Sequence, residues 1–185
     1  MIILHPFKFK QFPIEWEWLL YEPGPKVLAE ALRHYGIMEV RGKGSFPDFS
    51  KWAKELGVQS VMTDDDVPWC GLFVGICVKR AEFEVVQHPY RAKSWLSFGN
   101  AVLTPMLGDV LVFERKGGGH VGFYVGETLD TYAVLGGNQS NSVNITFIAK
   151  DRLVSAQRCN WKIMQPPNVR QVWVTASGEL STNEA

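Results

Sequence analysis

Three stretches with helical spacing before residue 81, a series of alternating apolar runs after residue 110, and a length of 185 residues predict one α+β domain. The first helix is expected from Pro25 to Tyr35, where Val27, Leu28, Ala31, Leu32 and Tyr35 share a stripe and Gly36 ends it. Arg41-Gly42-Lys43-Gly44-Ser45 reads as a loop. A second helix spans Asp48 to Leu56, with Phe49, Trp52, Ala53 and Leu56 inward and Gly57 as its stop. A third runs from Pro68 to about Ala81, because proline favours the first helical turn. Gly71 and Gly75 within it cost roughly 1 kcal/mol each relative to alanine, which predicts close packing against the sheet. Strands are expected at Val110 to Glu114, Val121 to Val125, Tyr132 to Leu135, Val143 to Ile148 and Leu153 to Asn160. The expected organisation is an extension over residues 1–24, a domain over 25–164, and a loosely attached tail over 165–185 whose Val172-Trp173-Val174 adds an edge strand.

Composition narrows the function classes. The chain is 46% hydrophobic and 21% charged with a net charge of zero, so neither nucleic acid nor an anionic surface is an expected partner. Its start has no basic region followed by a long apolar stretch, and no run reaches membrane-spanning length, so no signal peptide and no membrane insertion are expected. Three cysteines are an odd count and imply no disulfide framework. Cys70 and Cys77, seven apart on a helix, are separated by about 10.5 Å along its axis, beyond disulfide reach. Cys77 and Cys159 read as core residues. His5, His34 and His88 are at unrelated spacings, and neither His-Glu-x-x-His nor Cys-x-x-Cys occurs, so no metal and no cofactor are expected.

The chemistry points to Cys70. In Asp64-Asp65-Asp66-Val67-Pro68-Trp69-Cys70-Gly71 the thiol falls in the first helical turn, where the positive end of the helix dipole and unpaired N–H groups favour a thiolate. His120 opens a strand in which Val121, Phe123 and Val125 share one face, while His120, Gly122, Tyr124 and Gly126 share the other. Gly122 leaves space on the His120 face that the Cys70 helix is expected to fill. If residues 127–131 turn about Leu129, antiparallel partners have numbers summing to 258, and Asn138 opposes His120 with Cβ atoms about 5 Å apart. A slip of one residue substitutes Gln139. Cys70, His120 and Asn138 are therefore the candidate nucleophile, base and orienting residue.

Candidate substrate contacts are Trp69 and Trp95 beside the cleft, Asp66 for a substrate ammonium, and Gln139. Three adjacent carboxylates would disfavour a thiolate, so the side chains of Asp64, Asp65 and Asp66 are expected to face solvent. Trp16, Trp18, Trp52 and Trp161 read as core.

Five stretches in order resemble the papain-like CHAP and NlpC group of bacterial cell-wall amidohydrolases, in particular a CHAP-related subfamily of phages and prophages. They are Asp65-Asp66-Val67-Pro68-Trp69-Cys70, Arg91-Ala92-Lys93-Ser94-Trp95-Leu96, Gly108-Asp109-Val110, Gly119-His120-Val121-Gly122-Phe123 and Leu135-Gly136-Gly137-Asn138-Gln139-Ser140-Asn141. The resemblance covers Pro25 to Trp161 and implies a papain-like core, with a catalytic helix across a small antiparallel sheet. It also implies a peptidoglycan hydrolase, either a muramoyl-L-alanine amidase or a stem-peptide endopeptidase, with a Cys70-His120-Asn138 thiol mechanism. Such an enzyme is expected as a monomer made in the cytoplasm and reaching the wall by lysis, injection or holin-type release. A cysteine acyltransferase or transamidase, and a non-catalytic wall-binding or virion structural protein, are the alternatives.

Overall fold

A computed structural model describes residues 12–40 and 44–175 of the chain. The expectations for the first ten residues and for Arg41, Gly42 and Lys43 lie outside the described residues. The architecture is α+β, with a single six-stranded antiparallel sheet. The helices are α1 (Lys26–Leu32), α2 (Phe49–Glu55) and α3 (Cys70–Arg80). The strands are β1 (Asn100–Val102), β2 (Val110–Arg115), β3 (Gly118–Glu127), β4 (Thr131–Gln139), β5 (Ser142–Ala149) and β6 (Leu153–Arg158), in the spatial order β1-β6-β2-β3-β4-β5.

All three expected helices and all five expected strands form, with ends that differ by a few residues. Sequence periodicity missed the three-residue β1 and three 3₁₀ helices, Ile14–Tyr21, Ala92–Ser97 and Lys150–Arg152, whose period of three differs from the 3.6 of an α-helix.

Both faces of the sheet are buried. Val110, Val112, Val121, Phe123, Val125, Ala133 and Leu135 join the larger core under the helices, and Leu111, Phe113, Tyr124, Tyr132, Val134, Ile148 and Ala156 form a second cluster on the other side. This matches the alternation expected in β3 but places α3 differently. Phe73 of α3 packs edge-on against Phe123 at a centroid distance of 6.2 Å, so the helix covers the Val121 face and not the Gly122 face. The space at Gly122 is taken by the neighbouring strand, since a Cβ there would lie 2.5 Å from a Val134 methyl. Gly71 and Gly75 do pack closely, but against the 89–90 loop and α2 rather than the sheet. A Cβ on Gly71 would lie 2.5 Å from the Pro89 carbonyl oxygen, and one on Gly75 would lie 3.0 Å from a Leu56 methyl.

The tail is fastened over its described part. Leu107 N–H donates to Arg170 O (2.9 Å), Glu127 exchanges backbone bonds with Val172 and Val174 (2.8 and 2.9 Å), and Arg170 pairs with Glu22 at 2.8 Å. The expected edge strand is reduced to one parallel bridge between Glu127 and Trp173. Beneath it the buried Glu127 carboxylate accepts from Tyr124 Oη (2.7 Å) and Gln171 Nε2 (2.9 Å) and pairs with Lys150.

His34, after α1, stands edge-on to Trp52 at 4.8 Å and accepts from Arg80 Nη1 at 3.3 Å, a contact that requires a neutral imidazole. Burial, reinforced by the Arg80 cation, lowers its pKa from 6.5 to about 4. The unfolded chain therefore binds a proton more readily between these values. This contribution to stability is complete above pH 6.5 and lost as pH falls toward 4, amounting to about 3 kcal/mol at most. Urea unfolding at pH 7 and pH 4.5 should show His34→Gln losing less stability on acidification than the unsubstituted chain. Equal losses would show that His34 does not govern this range.

Candidate active site

Cys70 is the first residue of α3, after Pro68 and Trp69. Trp69 anchors this end of the helix. Its ring is fully buried, packs against Phe46 at 5.0 Å, and donates Nε1–H to Glu39 at 3.4 Å. A Cβ on Gly137 of β4 would lie 2.6 Å from both Trp69 and Phe73, so the helix start is pressed against β4 at a point only glycine allows.

The thiol meets β3 at its edge. Pairing between β3 and β4 extends from Glu127–Tyr132 to Phe123–Leu135 and stops there. Tyr124 exchanges backbone bonds with Gly108 and Asp109, before and at the start of β2 (2.9 and 2.8 Å), so the period of two turns the N–H of Val121 the other way. That N–H and the N–H of Gly71 act on the Cys70 thiol, drawing its pKa down. The thiol therefore lies near the peptide that joins His120 to Val121.

The thiol is only 4% exposed, and burial pushes its pKa above the ordinary value of 9.0. The N–H groups of Val121 and Gly71 and the cation of Arg115 pull the other way. The helix start alone led to the opposite expectation, a lowered pKa. Desolvation of the sulfur is the larger effect because the site is enclosed.

His120 is fully buried, and its Nε2 lies 2.9 Å from Gln139 Oε1. Gln139 replaces Asn138 as the partner of the imidazole, and the backbone shows why. The expected sum of 258 holds at Phe123–Leu135 and Tyr124–Val134, but β4 then bulges against β5, advancing three residues from Gly136 to Gln139 while β5 moves two, from Asn144 to Ser142. Asn138 takes a left-handed φ of 57° inside this bulge. The extra residue reverses the alternation and turns Gln139 onto the His120 face. Asn138 is buried, and its Oδ1 has no hydrogen-bond partner among the described residues.

The Gln139 amide is oriented from β5. Its Nε2 donates to Val134 O (3.2 Å), Asn144 O (2.8 Å) and Asn144 Oδ1 (2.9 Å), while Asn144 Nδ2 returns a bond to Gln139 O at 2.8 Å. With its N–H groups so engaged, Oε1 is an acceptor facing Nε2, which assigns the imidazole hydrogen to Nε2 and the basic lone pair to Nδ1. Asn144 was not a candidate from sequence. A signal was present in Gly136-Gly137-Asn138 and Ser140-Asn141, a run rich in residues that tolerate positive φ and so favour a bulge.

Other candidates are redistributed. Trp95 is fully buried and donates to Pro89 O at 2.9 Å, so neither it nor Trp69 presents a ring for substrate stacking. Their burial follows from their size: each fills a core position under α3 or the 92–97 turn. That turn abuts the start of β3, where a Cβ on Gly119 would lie 3.4 Å from Ala92 Cβ. Asp66 is exposed. Asp65, expected to face solvent, is buried, and its Oδ2 accepts from the N–H groups of Val40 (3.0 Å) and Phe46 (2.9 Å), tying these two residues together. Asp109 is structural: Arg158 grips it through Nε (2.9 Å) and Nη2 (2.7 Å).

Cys77 and Cys159 are buried thiols with raised pKa values, the latter pushed up to about 12 by burial and by Asp109. Among the described residues no group of three His, Cys, Asp or Glu side chains is placed to hold a metal, and no helix is long and apolar enough to cross a membrane. Comparison with protein-family models and with curated proteins finds no match to the chain.

Proposed function

We propose that the chain is a cysteine amidase that cleaves an amide bond of peptidoglycan, built on a papain-like core. The observation that supports this most directly is the thiol at the first turn of α3, acted on by the N–H of Val121, the residue that follows an imidazole whose Nε2 is fixed by Gln139. In this reading His120 Nδ1 takes the Cys70 proton as sulfur attacks the amide carbon, and the resulting imidazolium protonates the leaving amine. The proton transfer overcomes the burial that holds Cys70 as a thiol at rest. The backbone N–H of Cys70 receives the oxyanion, and water then releases the acyl group from sulfur by the same base. Gln139 is a positioning residue. The peptidoglycan substrate comes from the resemblance of the five motifs; the thiol and imidazole are what support acyl transfer.

Purified walls incubated with the protein and analysed by mass spectrometry should yield muropeptides with one new amine and one new carboxylate at a single type of amide bond, with undiminished yield in excess chelator. Incorporation of an added amine in place of water would reveal an acyltransferase. Intact muropeptides would refute wall hydrolysis.

A further inference from the structure

The β2–β3 register pairs Phe113 with His120 and Arg115 with Gly118, so Arg115 extends from the same face of the sheet as His120, diagonally one pair away. Such diagonal neighbours have backbones about 7–8 Å apart, a gap a long side chain spans. Opposite Arg115 stands a glycine whose Cβ would lie 3.8 Å from Arg115 Nε and 4.0 Å from Nη2, so the guanidinium lies across Gly118 with no side chain intervening at that position. Among the described residues Arg115 has no ion-pair or hydrogen-bond partner, and its Nε is buried without one. A buried N–H without a partner costs roughly 1–3 kcal/mol, a cost that an acceptor on a ligand would relieve. The nearby Glu114 is on the opposite face by alternation and pairs with Lys93 at 3.3 Å. The cation of Arg115 also acts on Cys70, drawing its pKa down.

We propose that Arg115 is a carboxylate-binding subsite beside Cys70, and that the substrate carries a free carboxylate near the amide that is cut. One guanidinium presents two parallel N–H groups that match the two oxygens of a carboxylate, whereas phosphate sites generally gather several cations or backbone N–H groups. The proposal rests on the amidase reading and names the chemical class of its substrate, an acidic peptide.

The test uses the full chain and two alkylating reagents of similar size, iodoacetate and neutral iodoacetamide, with modification at Cys70 followed by peptide mass mapping. The ratio of their rates cancels any change in thiolate population. Arg115→Gln should lower the iodoacetate to iodoacetamide ratio about tenfold, the loss of one charge-assisted contact, and Arg115→Lys should lower it less. Retained melting temperatures would confirm folding, and if Arg115→Gln does not fold, the smaller drop in Arg115→Lys decides. An unchanged ratio would overturn the carboxylate subsite while leaving the thiol reading intact. Failure of both reagents to modify Cys70 in the unsubstituted chain would overturn the thiol reading and the subsite with it.

Discussion

Cys70→Ser should reduce the rate of wall hydrolysis by at least about a thousandfold while changing stability by no more than roughly 1 kcal/mol. The substitution is nearly isosteric, and a hydroxyl can accept from the N–H groups of Val121 and Gly71 that act on the thiol. What is lost is the nucleophile, because a serine hydroxyl is far harder to deprotonate with an imidazole base in this enclosed position. Cys159→Ser, far from His120 in the fold, is the control and should keep most activity. Turbidity clearing of purified walls, with unfolding curves for each variant, makes the comparison. Wild-type clearing by Cys70→Ser would end the case for covalent cysteine catalysis.

The second large effect concerns Gln139. Gln139→Ala removes the acceptor that holds Nε2–H and releases the imidazole to turn or change tautomer, and should cost on the order of a hundredfold or more in rate. Gln139→Glu should not restore activity: it keeps an acceptor for His120 but sets carboxylate oxygens against the carbonyls of Val134 and Asn144 that now receive Nε2–H. Asn138→Gly should retain activity within a few-fold, because glycine adopts the φ of 57° without strain and the lost side chain does not touch His120 Nε2. Steady-state rates across pH on one soluble muropeptide would separate the variants. If Asn138→Gly were inactive and Gln139→Ala normal, the orienting role would belong to Asn138 after all.

These two outcomes mark the boundary of what residue patterns disclose. The helix start at Cys70, the strand at His120, the two faces of that strand and the pairing sum near Leu135 all follow from local rules: a proline, a period of two, a turn between two apolar runs. The face that α3 covers does not follow, because both faces of β3 are apolar enough to be buried, and alternation groups residues without saying which group meets the helix. The bulge in β4 was legible only as a cluster of φ-tolerant residues, and a single inserted position suffices to exchange Asn138 for Gln139. The tryptophans mislead for a different reason. A large ring suits sugar stacking and core filling alike, and only burial distinguishes Trp69 and Trp95 as core. Asp65 shows the same ambiguity for charge: its carboxylate replaces water with two backbone N–H groups, from residues nineteen and twenty-five positions away.

The irregularity in β4 also sets the terms on which this chain can be altered. Deleting one residue between Gly136 and Gln139 would give a cleaner ladder with β5, and by every rule that rewards regular strands it is an improvement. It would also rotate the glutamine out of the pocket and put whatever precedes it against the imidazole. At this one place the optimum for the sheet and the optimum for the site are different sequences. A search for stabilised variants guided by melting temperature alone would be drawn toward the inactive one, so any such search needs the imidazole's partner as a second criterion.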